Sequence, residues 1–149
     1  DWIEACQINE EIAGRRLSKQ SWAIAPKIRE VDSLLRSDKK AKQIFREVHP
    51  ELLFWALNGR FPMQKKKKSR AGFDERMEVL NRFCLDATKI VQECCELYKV
   101  AVVARDDIVD ALVSALVAFK SKGTLNRISA PNEEDGFKLP MEMVYWQPV

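Results

Sequence analysis

The chain has 149 residues, of which 46% are apolar and 32% charged, which gives a single domain long enough to bury a core. With 5 Gly and 6 Pro it is neither collagen-like nor a linker, and its apolar content excludes a disordered polyelectrolyte. The net charge is only +3, yet six basic residues and no acid lie between Arg60 and Arg70, so the remainder is net negative and the local patch suits a polyanion.

No apolar run reaches the roughly 18 residues of a membrane span. The opening Asp1-Trp-Ile-Glu4 has no initiator Met, no basic region and no apolar core of a secretory leader. No leader is read, and a processed or partial chain is expected. Cys6, Cys84, Cys94 and Cys95 form no CxxC pair, and one His gives no zinc spacing. They are expected to be reduced thiols of a cytoplasmic protein.

In chain order, Ile3, Cys6, Ile8 and Ile12 recur at helical spacing until Gly14. Ser18 is placed to cap a second helix, which Pro26 should break or restart. The β-prone segment 43–49 reads as a strand ended by Pro50. Pro50–Leu57 reads as a short helix closed by Asn58-Gly59. A basic loop over 60–72 follows. A long amphipathic helix, in one or two pieces, should run from Asp74 to about Tyr98. Val100–Val103 is a strand or a buried connection. Asp106–Lys122 is a helix with acids first, lysines last and Gly123 as its stop. Met141–Trp146 should pair with Leu125–Ile128 across a polar loop, 131–138. Such a count of helices leaves a sheet too small to support a domain by itself.

Three features could carry chemistry. Asp107 and Asp110 stand three apart and share a helix face, which suits a hard cation such as Mg²⁺ or Mn²⁺ and, through it, phosphodiester hydrolysis. The competing reading is helix capping, with Asp106 as the cap and Asp107 in the first turn. Glu47, His49 and Glu51 surround a strand end and a helix start. Glu47 is placed to present a carboxylate, and His49 to orient one, contact phosphate or move a proton, unless it is simply structural. Lys65–Lys68 is either a solvated loop or a phosphate contact that positions a backbone without reading bases. No serine-hydrolase elbow, P-loop or dinucleotide fingerprint occurs.

Taken together, Leu17–Asp32, Arg46-Glu-Val-His-Pro-Glu-Leu-Leu-Phe-Trp-Ala-Leu-Asn-Gly59, Lys67-Lys-Ser-Arg-Ala-Gly72, Asp106-Asp-Ile-Val-Asp-Ala-Leu112 and Leu139–Trp146 resemble the ribonuclease H-like nucleases gathered as a domain of unknown function and related to Holliday-junction resolvases. The resemblance implies an α/β, ribonuclease H-like fold, here helix-rich, with the whole of 1–149 as the C-terminal portion of one domain. It implies metal-binding acids at Glu47 (or Glu51), Asp107 and Asp110, with His49 assisting and Mg²⁺ or Mn²⁺ as cofactor. Lys67 and Lys68 match its phosphate-binding lysine pair. The partner implied is DNA or RNA, with no membrane. Nothing in this chain matches the Asp-Gly strand with which such proteins begin. The resemblance therefore implies a truncated chain, inactive by itself, with an exposed sheet edge that favours homo-oligomers. The alternative is a non-catalytic nucleic-acid-binding or assembly module.

Overall fold

The computed structural model describes residues 1–128 and 133–148. The chain divides into two compact units, Asp1–Phe45 with Glu134–Leu139, and Arg46–Glu133 with Pro140–Val149. The described residues form seven helices and one two-stranded sheet. No helix among them is long and apolar enough to cross a membrane.

The first unit begins with α1, Trp2–Ala13, where the Asp1 carboxylate accepts the Glu4 N–H at 2.8 Å. Gly14 ends it in the left-handed region, at φ 67°, a conformation that costs glycine little. Helix α2, Lys19–Ser37, is capped by Ser18, which accepts the Ser21 N–H at 2.9 Å. It runs through Pro26, against the expected break. A proline removes one backbone donor, and this helix buries none of its residues, so water can satisfy the carbonyl left over. Trp22, Ile24, Ile28 and Val31 are exposed along it. Asp38 ends α2 and caps α3, Lys39–Ile44.

The strand expected over 43–49 does not form. Asp38 accepts the N–H groups of Lys40 and Ala41, and the helix this starts takes the chain to Ile44. The side chains of Ile44 and Phe45 are exposed. In the extended link that follows, the Glu47 carbonyl accepts the Val144 N–H at 2.9 Å.

The second unit holds α4 (Pro50–Leu57), α5 (Arg70–Phe83), α6 (Ala87–Leu97) and α7 (Arg105–Ser121). Pro50 opens α4 at the position where a missing N–H costs nothing. The long helix expected to about Tyr98 is two pieces, α5 and α6, and starts earlier because Ser69 caps it. Val100–Val103 is a turn-rich connection rather than a strand. On α7, Val109, Val113, Leu116 and Val117 fall on one stripe and are buried, facing Leu53, Phe54 and Leu57 of α4, with Met77 and Leu80 of α5 and Val91 of α6 completing the core. Each such side chain contributes about 1.5–3 kcal/mol when taken from water.

The sheet is the expected C-terminal pairing, trimmed to β1 (Asn126–Arg127) and β2 (Val144–Tyr145), antiparallel, with Asn126 opposite Tyr145. Of the loop expected at 131–138, residues 131 and 132 lie outside the described residues. Glu142, buried beside β2, is bridged by Arg46 at 3.2 Å and Arg127 at 3.4 Å. This ties the link before α4 to the hairpin.

Candidate functional site

The lysine run is not a loose solvated loop. Its backbone is fastened to the first turns of α5 from three directions. Glu75 accepts the N–H groups of Gln64 at 2.8 Å and Lys65 at 3.0 Å. Ser69 donates to the Lys66 carbonyl through its hydroxyl at 2.7 Å and its N–H at 2.9 Å, while its hydroxyl accepts the Gly72 N–H at 3.0 Å. Gly72 lets the lysine run descend: a Cβ there would stand 2.0 Å from the Lys66 carbonyl oxygen. Partial burial pushes the Glu75 carboxyl up, but the two N–H donors, and then Arg76 and Lys65, outweigh it and hold the group below the usual carboxylate range.

Arg76 stands behind this arrangement. It is 3% exposed and grips Glu51 of α4 through a fork, Nε to Oε1 at 3.0 Å and Nη2 to Oε1 and Oε2 at 2.7 and 2.8 Å. It also donates to the Gly72 carbonyl at 2.9 Å and lies over the Phe54 ring. Glu51, one of the two acids considered for a metal, thus has both oxygens engaged by this guanidinium.

The fastened loop aims Lys67 at the start of α7. Its ammonium hydrogen-bonds Asp110 and stands 3.6 Å from Asp106. Desolvation works against the charged lysine, but the bond to Asp110 and the charges of Asp110, Asp106 and Asp107 prevail and raise its pKa. Ala104, not Asp106, is the N-cap of α7, and it offers no side-chain cap. Asp106 is therefore one turn before Asp110 on the same face, and it was the partner that the Asp107–Asp110 spacing missed. Asp107 is exposed. One oxygen of Asp110, Oδ1, is buried with no hydrogen-bond partner.

Beside this cluster opens a cleft of about 660 Å³ between the starts of α5 and α7. Lys67, Lys68, Arg70, Arg76 and Arg105 line it, against the acids Asp74 and Asp106. Arg105 also lies 5.1 Å over the Phe73 ring. Both helices direct their positive ends here, an arrangement suited to anionic oxygen when joined to this excess of cations.

Glu47 and His49 are exposed on the link before α4. Among the described residues no three His, Cys, Asp or Glu side chains are grouped to hold a metal ion. The donor set that does converge is the pair Asp106 and Asp110. It fits a hard cation in part: Oδ1 of Asp110 lacks a partner, and the Lys67 ammonium already supplies positive charge to both carboxylates. Two carboxylates are a usual protein share for Mg²⁺, which keeps water or phosphate oxygens in its other positions.

No curated protein and no solved structure shows a significant match to the chain. A family model matches residues 1–134, and the chain belongs to that family, DUF429, described as proteins of unknown function.

Proposed function

We propose that the chain binds the phosphodiester backbone of nucleic acid in the cleft between α5 and α7, as part of a metal-dependent nuclease of ribonuclease H-like type. The observation that carries this reading is the meeting of Lys67 with Asp106 and Asp110 at the edge of a basic cleft. Lys68, Arg70 and Arg105 would hold phosphate oxygens as charges that position the strand without reading its bases. Asp110 and Asp106 would hold Mg²⁺ or Mn²⁺, with Asp107 beside Asp106, while the resemblance implies Glu47 as a further metal-binding acid and His49 as an assisting group. When bound, such a cation polarises the phosphodiester and activates water. The four free thiols suit the reducing cytoplasm this reading assumes.

In the full-length protein, Asp110→Asn is expected to abolish Mn²⁺-dependent cleavage of DNA or RNA, read as product on a denaturing gel, in a variant whose thermal melt shows it folded. Cleavage at the wild-type rate would contradict the assignment. The second reading is a binding module without catalysis. It is favoured by the charge that Lys67 already places on Asp110, and wild-type binding without any metal-stimulated cleavage would select it.

A further inference from the structure

Lys67 stands between two sets of groups that both want its charge. On one side are the carboxylates of Asp106 and Asp110. On the other is the cleft shared with Lys68, Arg70 and Arg105. A lysine ammonium is a compact charge on a flexible stem, so it can turn from one set to the other by side-chain rotation alone. The backbone need not move, because Glu75, Ser69 and Arg76 hold Lys65 and Lys66 in place. Leaving Asp110 uncompensated is unfavourable, since one of its oxygens is already buried without a partner. The lysine is therefore free to leave only when another cation takes its position.

We propose that Lys67 is an exchangeable counter-ion: a divalent cation arriving at Asp106 and Asp110 releases its ammonium into the cleft, where it becomes an additional phosphate contact. The two ligands then bind with positive coupling through one side chain, and each strengthens the other by the same factor. This deepens the nucleic-acid reading above and rests on it. Its sign is distinctive. At fixed ionic strength Mg²⁺ ordinarily weakens a protein's hold on nucleic acid by competing for the phosphates, whereas the exchange predicts tightening.

The test uses the whole chain and a fluorescein-labelled oligodeoxythymidine, followed by polarisation with and without Mg²⁺ at constant ionic strength. Mg²⁺ is expected to tighten binding roughly tenfold, within the usual range of coupling between two sites, and Lys67→Met is expected to remove that gain. A readout on the unaltered protein stands beside it: acetylation of Lys67 relative to Lys65, by mass spectrometry without oligonucleotide, should rise severalfold when Mg²⁺ is added. Binding that Mg²⁺ leaves unchanged or weakens, or a gain that survives in Lys67→Met, overturns the exchange while leaving the nucleic-acid reading in place. No binding under any condition removes both.

Discussion

Glu51→Ala is expected to cost about 3–5 kcal/mol of folding stability, the usual result of stranding a buried charge by deleting its partner. The guanidinium of Arg76 is only 3% exposed, and Glu51 meets it in fork geometry, whereas Glu75 stands off at 4.0 Å. Deleting the other partner should be gentler. Arg76→Met removes the buried charge itself, keeps much of the side-chain volume, and leaves Glu51, whose side chain is 39% exposed, to be rehydrated. The remaining loss is that of hydrogen bonds to the carbonyls of Gly72 and Lys65, about 1–2 kcal/mol. Urea unfolding of the two variants reads the order directly. Equal losses would show that Arg76 reaches water when Glu51 is gone, and that the pair is not what fixes the loop to α4.

Gly72→Ala should destabilise the protein by about 2 kcal/mol and weaken polyanion binding. Helix propensity alone points the other way. Alanine in place of glycine inside a helix gains up to about 1 kcal/mol. Against this, the new Cβ would lie 2.0 Å from the Lys66 carbonyl oxygen, 2.7 Å from its carbon and 3.2 Å from the Lys65 carbonyl oxygen. These are backbone atoms, and the Lys66 carbonyl is held by both the hydroxyl and the N–H of Ser69. The loop must lift, and overpacking of this kind costs about 1–3 kcal/mol before the lost hydrogen bonds are counted. Gly136→Ala is the control, because a Cβ there meets nothing within 4 Å. A thermal melt in which Gly72→Ala matches or exceeds the parent would contradict the close descent of the lysine run.

Much of the helical framework was legible because its determinants are local. Gly14, Ser18, Pro50 and Gly123 punctuate the sequence as stops and caps, and the apolar stripe of α7 repeats at helical spacing. The hairpin at 126–127 and 144–145 was legible from β-prone residues at the end of the chain. The strand at 43–49 was misread for a reason that strand propensity does not contain. Asp38 caps a helix that takes the first residues of this segment to Ile44, and strand propensity is only a preference that such a local cap overrides. At the site, Lys67 and Asp110 were both singled out from sequence, but as members of separate motifs. Their contact, 43 residues apart, is a product of the packing of α5 against α7. Gly72, Glu75 and Arg76 left little trace in the sequence, since a glycine in a first turn and an acid beside a base on a helix are ordinary. Their importance comes from the loop they hold. Glu47 reads from sequence as the carboxylate at the end of the strand expected over 43–49, and in the structure it is exposed on the link before α4.

Binding of a phosphodiester backbone by Lys68, Arg70 and Arg105 in the cleft between α5 and α7 is tested most directly by salt. The affinity of the labelled oligodeoxythymidine should fall linearly with salt on logarithmic axes. The slope expected for three phosphate contacts to a single strand is about −2, and each of Lys68→Ala and Arg105→Ala should reduce its size by about 0.7. A slope near zero, or a slope that both substitutions leave unchanged, would contradict the assignment of this cleft.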